Sequence, residues 1–220
     1  MAFRIPSTNT FLIQAFVLLA CVYLVSLWLS LPVYLAAVLK VAPILCLLTL
    51  ALKAPQRANF LVGALVFSAL GDVLLALPIE HSFVLGLGAF LIAQSIYAAG
   101  FFVRRAQPIS AQHKGRLFFV LVISLALATI ILPRTGALAM PVTVYLLAIA
   151  AMAATAATVP KAGAALFCGA LLFVLSDACI AINKFVYPFN GSDIAIMSTY
   201  YGAQALICYG VLRHQRQVQR

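Results

Sequence analysis

Two aspartates and one lysine, Asp72, Asp177 and Lys40, lie inside stretches of sequence that are otherwise almost wholly apolar. The chain has only four Asp and Glu residues, so half its acids sit in these stretches; Glu80 and Asp193 fall in loops that water can solvate. An ionisable side chain in mid-bilayer costs roughly 2.5–3.5 kcal/mol or more, and function is the default explanation for it. Two acids and one base leave one carboxylate without a basic partner, and burial holds such a group in its protonated form. A carboxylic acid beside a carboxylate is a general acid–base pair. Helical spacing sets further polar groups beside these: Ser68 on the face of Asp72, Tyr97 on that of Gln94, and Tyr200 and Tyr201 on that of Gln204. Ser176 and Asn183 share a face about 100° from Asp177.

Other chemistries find little support. His81, His113 and His214 fall in loops or tails, and no H-x-x-x-H or Cys/His cluster exists to hold zinc. No G-x-S-x-G occurs, and Ser176 beside Asp177 lacks a histidine base. Gly86-Leu-Gly88 opens a helix and reads as a close-packing site, not a phosphate loop. The five cysteines all lie in apolar runs as small hydrophobes, without a disulfide framework. No metal or cofactor is expected.

The elements that must position these groups follow from composition. Hydrophobic residues make up 65% of the 220, charged residues 8%, and mean hydropathy is +1.14. A soluble domain carries about 25% charged residues. The reading is an all-α, polytopic transmembrane helix bundle forming one domain over residues 1–220. Apolar runs predict eight spans at 11–30, 32–52, 60–77, 83–103, 116–132, 138–158, 163–184 and 194–212. Each approaches the roughly 20 residues a span requires, and continuous apolar runs exclude barrel strands. The first run is too long for the core of a signal peptide and is expected to be retained. Prolines mark most junctions, while Pro43 and Pro141 lie within or near the start of spans.

At a rise of about 1.5 Å per residue in a core about 30 Å thick, Asp72 and Lys40 come out ~18 Å from the cytoplasmic edge and Asp177 ~21 Å. Gln94 and Gln204 come out ~14–15 Å below the outer ends of their helices by the same rise. Five strongly polar groups on five helices thus share one layer. Interhelical glue is the structural explanation for such groups, above all for the two glutamines, Ser68 and Ser176.

The net charge of +10 is distributed unevenly. Arg4, Lys53, Arg57, Arg104, Arg105, Lys114, Arg116, Lys161, Arg213, Arg216 and Arg220 fall at the N-terminus, after even-numbered spans and at the C-terminus; only Arg134 and Lys184 fall on the other side. Eleven against two orients the basic side, with both termini, toward the cytoplasm. Basic cytoplasmic loops account for the pI near 9.8 without a nucleic-acid partner. A parallel internal repeat is suggested by GALVFSALGD (63–72) against GALLFVLSD (169–177), and by AQSIYAAG (93–100) against AQALICYG (203–210).

Gly71-Asp72 in FSALGDVLLAL, Ser176-Asp177 in LLFVLSDACIAINKF, LKVAPILCLL around Lys40 and STYYGAQALI (198–207), in this order, resemble the lysoplasmalogenase-like YhhN family from the second span to the eighth. The resemblance implies an eight-span hydrolase acting on a lysophospholipid. It would cleave the vinyl-ether bond of lysoplasmalogens to a fatty aldehyde and glycerophospho-ethanolamine or -choline, with Asp72 and Asp177 catalytic. Lys40, Gln94, Tyr97, Ser176, Asn183, Tyr200, Tyr201 and Gln204 would bind substrate or assist. Members often carry a His-Leu-x-x-Tyr-like sequence where this chain has Gln94-Ser-Ile-Tyr97, so an amide stands in place of an imidazole. From the residues alone, a proton-coupled transporter and a non-catalytic lipid-binding protein also remain open. Short loops and tails point to a bacterial inner membrane.

Overall fold

The computed structural model describes residues 7–55, 58–160 and 163–218. Among them there is no strand, and eight helices are long and apolar enough to cross a membrane. They are α1 (Ser7–Ser26), α2 (Val33–Leu52), α3 (Asn59–Ala76), α4 (Ser82–Val103), α5 (Ala111–Ile131), α6 (Ala139–Ala157), α7 (Gly163–Ala181) and α8 (Ser192–Val218). Two 3-10 turns, Leu132–Arg134 and Gly136–Leu138, join α5 to α6, and a π-helical turn, Ile182–Val186, prolongs α7. The chain is an integral, multi-pass membrane protein. Of the basic loop residues, Arg4, Arg57, Lys161 and Arg220 lie outside the described residues, as does the side chain of Arg216.

Helix ends depart from the apolar runs where water, not lipid, sets them. α5 starts five residues before the predicted 116 because Ser110 caps it: His113 N–H donates to Ser110 Oγ at 3.4 Å, and Ser110 N–H donates to His113 Nδ1 at 3.3 Å. α8 continues past 212 through a polar, basic turn that needs no lipid. α1 ends at Ser26, and Trp28 stands exposed in the turn beyond it.

α3 lies along α4 and α7 along α8. α4 also packs on α6, α2 on α3 and α8, and α1 on α2. α5 rests chiefly on α6 and is the least buried span. Ile44, Leu65, Phe101, Met152, Leu166 and Phe173 are buried in the shared core. Leu18, Val38, Phe118 and Leu147 point outward, which an apolar solvent permits. Lipid tails are as apolar as these side chains, so association relies on close contact. Gly100 supplies such contact: a Cβ there would stand 2.0 Å from the Phe60 ring. Between α7 and α8, a Cβ on Gly210 would stand 2.7 Å from Leu166 Cγ.

Candidate functional site

The polar layer divides into three groups, held by helices distant in sequence. In the first, Lys40 on α2 faces Asp72 on α3, with Nζ 3.7 Å from Oδ1. Asp72 is buried, and the Tyr200 hydroxyl on α8 donates to its Oδ2 at 2.7 Å. Tyr200 is fixed by edge-to-face contacts with Phe90 and Phe173, at ring separations of 5.8 and 5.5 Å. Tyr201, next in sequence, turns toward α2 and donates to the Lys40 carbonyl at 2.7 Å. The resulting carboxylate has a cation on one oxygen and a hydroxyl donor on the other.

The second group is a closed relay of neutral side chains. Tyr97 on α4 donates to Gln204 Oε1 at 2.7 Å, and Gln204 Nε2 donates to Ser68 Oγ on α3 at 3.0 Å. All three residues are fully buried. Tyr97 therefore crosses to α8 and does not partner Gln94 on its own helix. This group fits the role of interhelical glue.

The third group surrounds Asp177 on α7. Its Oδ2 accepts a hydrogen bond from the Tyr145 hydroxyl on α6. No ion pair to Asp177 exists among the described residues. Gln94 on α4 is fully buried, with its amide close to the Tyr145 hydroxyl. Asp177 and Tyr145 line a narrow apolar cavity of about 50 Å³, walled by Leu75, Phe83, Leu127 and Val174 among others.

Two expected auxiliaries bond to the backbone. Ser176 donates to the Ile196 carbonyl at 3.0 Å, tying α7 to α8. Asn183 Oδ1 accepts from Phe189 N–H at 3.1 Å, closing the loop after α7. Conversely, sequence reasoning passed over Tyr145. A signal existed: six residues into α6 is ~9 Å below the outer edge, and the ~21 Å count for Asp177 leaves the same ~9 Å. Among the described residues no three His, Cys, Asp or Glu side chains converge to hold a metal ion.

Eight spanning helices around two aspartates, Asp72 buried and salt-bridged and Asp177 half-buried and bonded only to a tyrosine, define a polytopic membrane protein with an ionisable centre inside the bilayer. The chain belongs to the YhhN family, whose sequence model matches residues 35–211. It is 36% identical to the protein named lysoplasmalogenase TMEM86A of Bos taurus, over 90% of this chain and 88% of the relative. It is 33% identical to lysoplasmalogenase TMEM86B of Homo sapiens, over 91% and 86%. A Mycobacterium tuberculosis protein named lysoplasmalogenase shares 36% over 70% of this chain and 61% of its own length. No solved structure matches. With relatives named as enzymes across most of its length, the chain is a membrane enzyme of the hydrolase class.

Proposed function

We propose that the chain hydrolyses the vinyl-ether bond of lysoplasmalogens, with Asp177 as the acid and Asp72 as its ionised counterpart. The names of the relatives supply the substrate class. One observation carries the mechanism: the two aspartates are unequally partnered. Lys40 compensates Asp72, whereas Asp177 faces an apolar cavity with a tyrosine as its donor. In a poorly solvated site the compensated carboxylate ionises and the uncompensated one keeps its proton.

The Asp177 carboxyl gives its proton to the β-carbon of the alkenyl ether, and an oxocarbenium ion forms at the α-carbon. The Asp177 carboxylate so produced is held by Tyr145, and Asp72 adds negative potential that favours the cation. Water adds to the α-carbon, and its surplus proton returns to Asp177, restoring the acid. The hemiacetal passes its hydroxyl proton to the glycerol oxygen as the carbon–oxygen bond breaks. Aldehyde and glycerol alcohol leave, and one water is consumed. Gln94, buried beside Tyr145, is placed to orient that water. The alkenyl chain takes the apolar cavity, whose wall from the lightly packed α5 yields to admit it.

We also orient the basic face toward the cytoplasm of a bacterial inner membrane. Lys53, Arg104, Arg105, Lys114, Arg116 and Arg213 lie on that face, against Arg134 and Lys184 on the other. Isotopes test the chemistry. In ¹⁸O water the label should enter the aldehyde, and in heavy water one deuterium should enter its α-position, both trapped by rapid reduction. Label in the glycerol hydroxyl would show cleavage on the other side of the ether oxygen.

A further inference from the structure

Beside the acidic centre lies a second cavity, of about 330 Å³, whose polar walls include Lys40, Asn183, Lys184 and Asp193. It shares Leu75, Phe83 and Ile180 with the apolar cavity that holds Asp177, so the two spaces adjoin. Polar and apolar compartments meeting at a shared wall are what an amphiphile with a charged end requires.

The charges inside the larger cavity are arranged for a ligand that carries both signs. Lys184 and Asp193 are each exposed, and neither forms an ion pair among the described residues. Lys184 Nζ sits 4.4 Å from the centre of the Phe83 ring, which belongs to both cavities. That cation–π contact stations the ammonium where the compartments meet. The backbone is adapted too. Lys184 lies in the π-helical turn Ile182–Val186, a local widening of the helix that recurs at functional sites. The Asn183 bond to Phe189 holds the returning chain, which brings Asp193 at the start of α8 to the opposite wall. Tyr23 of α1 completes the lining with an aromatic ring.

We infer that this polar cavity seats a zwitterionic phosphate head group, with Lys184 as a ligand of the phosphate and Asp193 as a ligand of the amine. Phosphate is a strong acceptor of charge-assisted bonds from lysine, and an alkylammonium is matched by a carboxylate beside an aromatic face. The glycerol then spans the shared wall, delivering the vinyl ether to Asp177 while the chain continues into the apolar cavity. Because α7 meets α8 on the less basic side of the bundle, the head group enters from that side. The inference rests on the hydrolase reading for its substrate but makes its own claim about recognition.

The experiment uses the whole protein, purified in detergent micelles, and three alkenyl ethers: alkenyl-glycerophosphoethanolamine, alkenyl-glycerophosphate and alkenylglycerol. Lys184→Gln should raise KM for the two phosphate-bearing compounds about tenfold, the size of one lost charge-assisted bond, leaving kcat within about twofold. KM for alkenylglycerol should not move. Asp193→Asn should raise KM about three- to tenfold for the ethanolamine compound alone. Unchanged KM values in both variants, or an equal rise for all three compounds, would overturn the assignment. Should the wild type release aldehyde from none of them, the hydrolase reading fails, and calorimetric binding of glycerophosphoethanolamine decides the seat separately. Binding weakened about tenfold by Lys184→Gln supports it; no binding, or equal binding, overturns it.

Discussion

Tyr145→Phe removes one oxygen from the acidic centre and nothing else. The ring continues to pack beneath α7, so the helix interface is preserved, and only the bond to Asp177 Oδ2 is lost. If Asp177 is the acid, that bond strengthens as the proton leaves, because a carboxylate accepts more strongly than a carboxylic acid. A hydrogen bond to a charged group contributes about 1.5–3 kcal/mol. At 1.36 kcal/mol per decade of rate, its loss should lower kcat by roughly 10- to 150-fold. The assay is aldehyde release in micelles, read through an aldehyde dehydrogenase, with thermal unfolding measured in parallel. Activity within about twofold of wild type, too small for a lost charged hydrogen bond, would refute the role given to this pair. So would a lower rate that tracks a fall in melting temperature, which a merely structural effect would produce.

Other variants probe the remaining contacts. Lys40→Met strands a buried carboxylate and should destabilise the protein by about 3–5 kcal/mol, measured by thermal or denaturant unfolding. Adding Asp72→Asn should restore most of that stability without restoring turnover; unchanged stability in Lys40→Met would show the pair to be inconsequential. Gln94→Ala should cost about 10–100-fold in rate, the size of an orienting effect, while Gln94→His stays active. Reporter fusions after α2, α4, α6 and α8 should all report cytoplasm, and an external signal after α8 would reverse the assigned orientation.

How much of this was legible in the sequence depended on which solvent set the constraint. The spans could be read because lipid admits only long apolar helices, and the helices follow those runs closely. The ends of α5 and α8 could not, since the Ser110 cap and the polar end of α8 lie where hydropathy carries no signal. Depth counting brought Lys40, Asp72, Gln94, Asp177 and Gln204 to one layer. It could not say which would pair, because pairing depends on rotation between helices far apart in sequence. Thus Tyr97 meets Gln204 across the bundle, while Gln94 stays beside Tyr145. A lone tyrosine in an apolar helix looks like packing until its partner is known, which is why Tyr145 was passed over. Asp193 read as a solvated loop residue and Lys184 as the last residue of the seventh span, and their meeting in one cavity depends on how the chain returns from the π-helical turn to α8.

The central claim is that two aspartates share one hydrolytic step, and the most direct measurement is aldehyde release by Asp72→Asn, Asp177→Asn and their double variant in micelles, where no second compartment exists. Asparagine keeps size and polarity but neither gives nor takes the proton. Each single variant, shown to be folded, should lose at least roughly 10²-fold in turnover, through lost proton transfer at Asp177 and lost stabilisation of the oxocarbenium ion at Asp72. The double variant should be little worse than either, because residues acting as a unit are not additive. Aldehyde release that survives both substitutions together would contradict the mechanism. A wild type inactive in micelles that moves protons in sealed vesicles, dependent on Asp72 and Asp177, would mark a carrier instead.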